Sequence, residues 1–289
     1  MINNNSYQQR RQYLISVYED TMQRINHNAD FRQKVADEIK NQIFIGHNEP
    51  IVIPEPTNRP TFDVRVSGLR TMESARQYVQ KGKHIAVLNF ASSTMPGGGV
   101  RNGASAQEES LCRVSTLLPC LASDTAYKMF YGPHRAAGNP LHNDDLIYTK
   151  GVLVIKDDDY KPLNDNELFC VDVITCAAPN LREKPSNKYN RNDGEAVKIS
   201  DAELLEIHKS RARKILAAAA INHVDVVILG AFGCGAFRNP PEVVAAAYKA
   251  VIEEFRGHFD AIEFAVYCRP GDNRNFEVFH KALNIPAGR

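Results

Sequence analysis

Two adjacent carboxylates, Glu108 and Glu109, follow a run of three glycines, Gly97, Gly98 and Gly99, with seven residues between Gly99 and Gln107. Neighbouring carboxyl groups in a partly closed cleft repel one another, and burial adds to that. Both effects raise a pKa, while a helix N-terminus lowers it. A carboxylic acid that keeps its proton near neutrality can protonate the leaving oxygen of a glycosidic bond. Three glycines in a row are costly to order. They suit a place where a ligand presses directly on the main chain. The bland alternatives are well formed. Ser105-Ala106-Gln107-Glu108 fits a capping box, and Glu109 lies four residues before Arg113, a helical ion-pair spacing. Spacing alone leaves both readings open.

A second glycine-rich run, Gly230-Ala231-Phe232-Gly233-Cys234-Gly235-Ala236-Phe237, lies between an apolar stretch ending at Leu229 and a helix opened by Asn239-Pro240-Pro241-Glu242. Backbone amides and a helix dipole there can hold a phosphate. The order is GxxGxG, which is not the dinucleotide fingerprint, and no Gly-Lys-Ser/Thr ending makes it a Walker loop. A tight strand-to-helix turn without a ligand is the alternative. Cys234 reads either as a nucleophile or as a small residue between glycines. The absence of a histidine nearby in the sequence favours the second.

The elements that must hold these loops follow from the apolar pattern. Residues 1 to about 45 read as helical: Tyr13, Leu14, Val17 and Tyr18, continued by Met22 and Ile25, form one stripe. Phe31, Val35, Ile39 and Ile43 repeat at four-residue intervals. A proline-rich passage, Pro50 to Pro60, reads as an extended linker. From about residue 64, buried strands are expected at 85–90, 152–155, 169–174, 224–229 and 262–267. Helices are expected from Ser105 to Leu121, from a capping box at Ser200-Asp201-Ala202-Glu203 to about Ile221, and from a start at Asn239-Pro240-Pro241-Glu242, with proline at the first helical position, through Val243 to Phe255. Residues 131–147 and 179–199 read as long polar loops, which in compact domains are usually functional or disordered. Alternating strands and helices predict an α/β sandwich with a mixed or mostly parallel sheet. The expected division is a helical accessory segment over 1–49 and a catalytic domain over 50–289.

Composition narrows the function. The chain has 289 residues and 43% hydrophobic content, enough to bury a core. Lys and Arg number 35 against 34 Asp and Glu, a net charge of +1. That argues against a protein that neutralises a long nucleic acid, and sequence-specific nucleic-acid binding is not expected. It is compatible with short-range capture of a small anion by amides. No apolar run approaches the about 18 residues of a membrane span. The six cysteines form no CxxC pair, so a disulfide frame or zinc site is not expected. The polar N-terminus has no apolar signal core, and a cytoplasmic protein is expected.

Gly97-Gly98-Gly99, the spacer and Gln107-Glu108-Glu109 together resemble the signature of poly(ADP-ribose) glycohydrolases, in their compact bacterial and fungal branch. Val87-Leu88-Asn89-Phe90-Ala91, Val173-Ile174-Thr175-Cys176-Ala177-Ala178-Pro179-Asn180 and the 230–237 run are also similar, so the likeness spans about residues 50–289. The resemblance implies a macrodomain-like α/β/α sandwich with a mixed central sheet. It implies hydrolysis of ribose–ribose bonds with release of ADP-ribose, poly(ADP-ribose) or ADP-ribosylated proteins as partners, and neither cofactor nor metal. A monomer is expected. Carried over, Glu109 is the catalytic acid and then base, and Glu108 orients ribose hydroxyls. Asn89, Gly97, Gly98, Gly99 and Gln107 contact the substrate. Gly233, Cys234, Gly235, Ala236 and Phe237 wrap the diphosphate, with Phe237 near the terminal ribose. Ala236 stands where the family can carry a larger branched residue. Asp172 and Asn180 are candidates for the adenine contact, with a structural hydrogen-bonding role equally open for Asp172.

Three other readings remain at this level: a hydrolase of single ADP-ribose groups on proteins, an ADP-ribose reader without turnover, and a nicotinamide-dependent oxidoreductase. The carboxylate pair counts against the reader. The missing GxGxxG, and the missing acid about 20 residues beyond it, count against the oxidoreductase.

Overall fold

The computed structural model describes residues 4–47, 49–57, 59, 61–187, 192–268 and 271–283. Pro60, at the end of the expected linker, and residues 188–191 of the second polar loop lie outside the described residues.

The chain opens with α1 (Asn4–His27) and α2 (Ala29–Lys40). Asn28 separates them, its side chain capping α2 by accepting from the Asp30 and Phe31 amides at 2.9 and 3.1 Å. The helical pattern expected to reach about residue 45 stops at Lys40, and Ile43–Ile45 form strand β1. Then come β2 (Asp63–Ser67), α3 (Thr71–Val79) and β3 (Ile85–Phe90). The helix expected from Ser105 to Leu121 is two helices, α4 (Gln107–Val114) and α5 (Leu117–Leu121). Ser115 between them is extended and bridges Val154, which breaks the helical hydrogen-bond ladder.

The segment read as a polar loop over 131–147 contains structure. A helical turn α6 (Asp124–Ala126) runs into a π-helical turn, Tyr127–Tyr131, and then α7 (Gly132–Ala137). Strand β4 (Leu146–Val154) starts six residues before the expected 152 and carries a bulge between Thr149 and Val152. After β5 (Phe169–Cys176) the described residues of 179–199 form no helix or strand. The Ser200 capping box opens α8 (Asp201–Ile221) as expected. Then follow β6 (Val226–Leu229), α9 (Pro241–Ile252, proline in its first turn), β7 (Ala261–Ala265) and α10 (Arg274–Leu283).

One seven-stranded sheet runs in the order β1–β4–β5–β3–β6–β7–β2. Pairing is parallel from β5 through β2, and antiparallel where β4 meets β5 and β1. Alternate residues of β3 serve opposite faces. Ala86 and Leu88 pack with α8, α9 and α10, while Ile85 and Val87 pack with α3, α4 and α5. The result is the expected α/β/α sandwich with a mixed central sheet. Strands β3, β5 and β6 are central and parallel, so the loops after them, at 91–106, 177–200 and 230–240, leave the same edge of the sheet. That edge is where open α/β sheets bind ligands.

Candidate active site

Glu108 and Glu109 sit in the first turn of α4 and are 3% and 7% exposed. The capping box is not what holds them. Ala106 is the N-cap and makes no side-chain cap bond. Glu108 instead turns back across the loop: its Oε2 accepts from the Ser92 amide at 2.8 Å and its Oε1 from Asn89 Nδ2 at 3.4 Å, and the Gly97 amide also donates to it. Glu109 Oε1 accepts from the Gly99 amide at 2.8 Å, while its Oε2 is buried with no partner among the described residues. The ion pair to Arg113 does not form. That guanidinium, wholly buried, donates to the carbonyls of Leu14 (3.0 Å), Val100 (3.4 Å) and Ala104.

The glycines divide by task. Gly97 and Gly98 are left-handed, with φ of 68° and 54°. A Cβ on Gly97 would lie 2.6 Å from Leu118 Cδ1, in the core. On Gly98 it would lie 2.6 Å from Glu109 Oε1 and 3.1 Å from Glu108 Oε2, at the carboxylates. Gly97 therefore seats the loop, Gly98 leaves room for the pair, and Gly99 supplies an amide. Gln107, for which the resemblance implies a substrate contact, has both of its side-chain polar atoms bonded within the protein. Its Oε1 accepts from the Phe90 amide at 2.9 Å, and its Nε2 donates to Leu88 O at 2.7 Å and Thr71 Oγ1 at 3.2 Å. It staples α4 to β3. Asn89, paired in register with Thr175, donates to that hydroxyl at 3.3 Å and keeps a buried Oδ1 without a partner among the described residues.

Burial, and next the adjacent Glu109 carboxylate, holds the Glu108 carboxyl well above the usual range, against the pull of the Ser92, Asn89 and Gly97 donors. Cys112, buried beside the pair, has its thiol pushed up by burial and by both carboxylates, so it is not a thiolate.

The second loop is a backbone nest. The amides of Gly233, Gly235, Ala236 and Phe237 have no acceptor within the protein among the described residues. A Cβ on Gly235 would meet nothing within 4 Å, whereas on Gly233 (φ 76°) it would strike Ala178 Cβ at 2.6 Å. Cys234 is a small packed residue: its Sγ faces Phe232 O at 3.7 Å, and burial pushes its thiol up. Phe237 lies under the Arg182 guanidinium (5.4 Å to the ring centre) and 6.0 Å from the His142 ring.

The residue that shapes this loop is one the sequence reading took only as a helix start. Asn239 Nδ2 donates to the carbonyls of Pro179 (2.7 Å), Gly233 (3.1 Å) and Phe237 (3.4 Å). Its Oδ1 must then accept from His208 Nε2 at 2.8 Å, which assigns the imidazole proton to Nε2. Burial, then the nearby Arg211, brings His208 down to about 4, so it stays neutral. No spacing pattern marks His208 and Asn239 as partners, because they are 31 residues apart.

Neither adenine candidate is free for a base. Asp172 lies away from the loop edge, opposite Ala86 of β3, and accepts from Tyr148 Oη (2.5 Å), His84 Nε2 (2.9 Å) and the Gly151 amide (2.8 Å). Asn180 is wholly buried, bonded to Asp193 (2.7 Å), Arg182 (2.9 Å) and Pro185 O (3.3 Å). Both glycine loops meet one rim nonetheless: Phe237 faces His142, and His142 Nε2 is 2.9 Å from Ser93 Oγ in the loop after β3. Among the described residues no group of three His, Cys, Asp or Glu side chains is arranged to hold a metal ion, and no helix is long and apolar enough to cross a membrane.

The family model for the microbial-type PARG catalytic domain matches residues 10–157. Among solved structures, the chain is similar to poly(ADP-ribose) glycohydrolase (PARG) from Thermomonospora curvata, with 28% identity, a TM-score of 0.79, and coverage of 94% of this chain and 100% of that one. The same enzyme has been solved bound to the inhibitor ADP-HPD, with 28% identity, a TM-score of 0.79, and coverage of 94% of this chain and 99% of that one. The Deinococcus radiodurans PARG in complex with ADP-ribose is 30% identical, with a TM-score of 0.73 and coverage of 86% of this chain and 96% of that one. No curated protein matches the chain.

Proposed function

Since the chain belongs to the microbial-type poly(ADP-ribose) glycohydrolase family, we propose that it cleaves ribose–ribose bonds with Glu109 as the group that gives and then takes the proton. It is a glycoside hydrolase acting on poly(ADP-ribose). The observation that carries the role of Glu109 is the asymmetry of the pair. Both Glu108 oxygens already face N–H donors, whereas Glu109 has one oxygen pinned by the Gly99 amide and one without a partner. A proton on Glu109 Oε2 is therefore directed at no competing acceptor and can pass to the departing ribose oxygen.

The steps follow from the site. The diphosphate sits on the free amides of Gly233, Gly235, Ala236 and Phe237, near the start of α9. The scissile ribose lies over the glycine loop, where Gly98 leaves the room. Glu108 accepts from a ribose hydroxyl and fixes the sugar. As the glycosidic bond breaks, Glu109 transfers its proton to the leaving oxygen. It is left as a carboxylate that takes a proton from the attacking water. One residue does both tasks, unlike the usual arrangement of two carboxylates across the bond. The ligands are ADP-ribose and its polymer, with ADP-ribosylated proteins as the macromolecular partners.

Glu109→Gln keeps the shape and removes the transferable proton. Release of ADP-ribose from long polymer should fall by about 10³-fold or more, with ADP-ribose affinity retained. Glu108→Gln should cost about 10²-fold or less. Near wild-type turnover by Glu109→Gln in a product analysis would remove Glu109 from the role.

A further inference from the structure

We propose that Asp193 is a positioning residue for the cleavage: its buried carboxylate anchors the catalytic loop from outside and holds the backbone that orients Glu108 and Glu109. This rests on the glycohydrolase reading above. Asp193 lies far along the chain from the signature, in the polar 179–199 stretch, and its side chain has no exposed surface. Oδ1 accepts from Thr94 Oγ1 at 3.1 Å and from Ser93 Oγ at 3.3 Å. Oδ2 accepts from Asn180 Nδ2 at 2.7 Å and lies 3.6 Å from His142 Nε2. Burial alone would push this carboxyl up, but His142, Asn180 and Thr94 bring it below its ordinary value. It is therefore a satisfied anion, the only state in which a buried carboxylate is tolerable.

The surrounding backbone is built to bring it there. Gly138, His142, Asn192 and Gly194 are all left-handed, with φ of 54°, 56°, 69° and 77°. A Cβ on Gly194 would lie 2.0 Å from Gly138 O, so the two polar loops touch main chain to main chain. The Asn180 amide donates to Pro140 O at 2.7 Å and ties them again. This strapped pair of loops reaches the catalytic loop at Ser93 and Thr94, and Arg135 Nε holds Thr94 O at 2.6 Å. The amides that fix the carboxylate pair lie on either side: Ser92 next to the anchor, and Gly97 and Gly99 further along the same loop. A displacement of about 1 Å at the reacting groups is enough to cost about 10²-fold in rate. The diphosphate loop is held separately, by Asn239.

The test uses the full chain with Asp193→Asn and Thr94→Val. It reads kcat and KM on polymer, the affinity for ADP (which carries the diphosphate but no second ribose), and hydrogen exchange of the 92–99 and 230–237 backbone. The expected result for Asp193→Asn is a kcat lowered about 10-fold or more and faster exchange over 92–99. ADP affinity should stay within about 2-fold, with unchanged exchange over 230–237. Thr94→Val should show a smaller loss of the same kind, and the double variant should be no worse than Asp193→Asn alone. If Asp193→Asn does not fold, Thr94→Val carries the same comparison. Unchanged exchange over 92–99, a kcat retained within about 2-fold, or a kcat loss matched by lost ADP-binding capacity overturns the proposal. A wild-type protein that releases no ADP-ribose would instead refute the glycohydrolase reading, and the exchange measurement would still judge the anchor.

Discussion

A buried carboxyl whose proton affinity is higher in the folded chain than in the unfolded one makes stability depend on pH, and Glu108 is such a group. Burial and the adjacent carboxylate raise it well above its ordinary value of 4.5. The folded state therefore binds this proton more tightly than the unfolded state does. Its contribution is full below 4.5 and is lost as pH rises through the raised value. The site thus carries a stability cost at neutral pH as a consequence of its chemistry. Glu108→Gln cannot ionise, and the buried Asn89 Oδ1, which has no partner among the described residues, can accept from the new amide. The difference in Tm between variant and wild type should then grow in the variant's favour from pH 4.5 to neutrality while turnover falls. Parallel Tm profiles over that range would mean that Glu108 ionises as easily folded as unfolded.

The catalytic loop shows at the level of elements why three glycines are needed. Gly97→Ala would drive a methyl group into Leu118, a packing fault that costs about 1–3 kcal/mol. Gly98→Ala would drive it into Glu109 Oε1, the oxygen held by the Gly99 amide. Both sites also carry left-handed strain. Gly97→Ala should therefore lose mainly stability, and Gly98→Ala should lose about 10²-fold or more in kcat for a smaller drop in Tm. Equal behaviour of the two would contradict this division. The signature was legible because it is local: a strand end, a glycine run and a helix start lie within about twenty residues of sequence. The Ser200 cap and the proline start of α9 were legible for the same reason. What sequence could not show depends on distant partners. Ser115 interrupts the expected helix only because Val154 pairs with it. Gln107, read as a substrate contact, is taken up by Leu88, Phe90 and Thr71. Asp193 and Asn239 carry no motif of their own, since each acts through groups brought in from other loops.

The N-terminal helices, separated from the main body in the sequence reading, bear on the signature at the scale of the whole molecule. Leu14 O accepts a hydrogen bond from Arg113 Nε at 3.0 Å, and Arg11 donates to Asn102 O at 3.2 and 2.9 Å. A Cβ on Gly103 would lie 2.5 Å from Arg11 O, so α1 rests directly on the seven-residue spacer. Lys156, 1% exposed, is satisfied by Val17 O (3.0 Å), Thr21 Oγ1 (2.6 Å) and Asp20 (2.8 Å), all on α1. Further on, Glu38 of α2 accepts from Thr116 Oγ1 and the Leu153 amide at 2.9 and 3.2 Å, and β1 pairs with β4. The family match also begins within α1, at residue 10. We propose that residues 1–49 are a working layer of the catalytic unit. Deleting residues 1–28 would remove the buried Leu14, Val17 and Ile25 and take the Leu14 acceptor from Arg113 and the Val17, Thr21 and Asp20 acceptors from Lys156. Each buried leucine or isoleucine lost is worth about 2–5 kcal/mol. The truncated chain should therefore unfold about 10 °C lower or more, at the about 2 °C per kcal/mol that suits a chain of this size. Where it remains folded, its kcat on polymer should fall about 10-fold or more, because the spacer loses the surface it rests on. A truncated chain with wild-type Tm and turnover would make the helices an independent accessory segment.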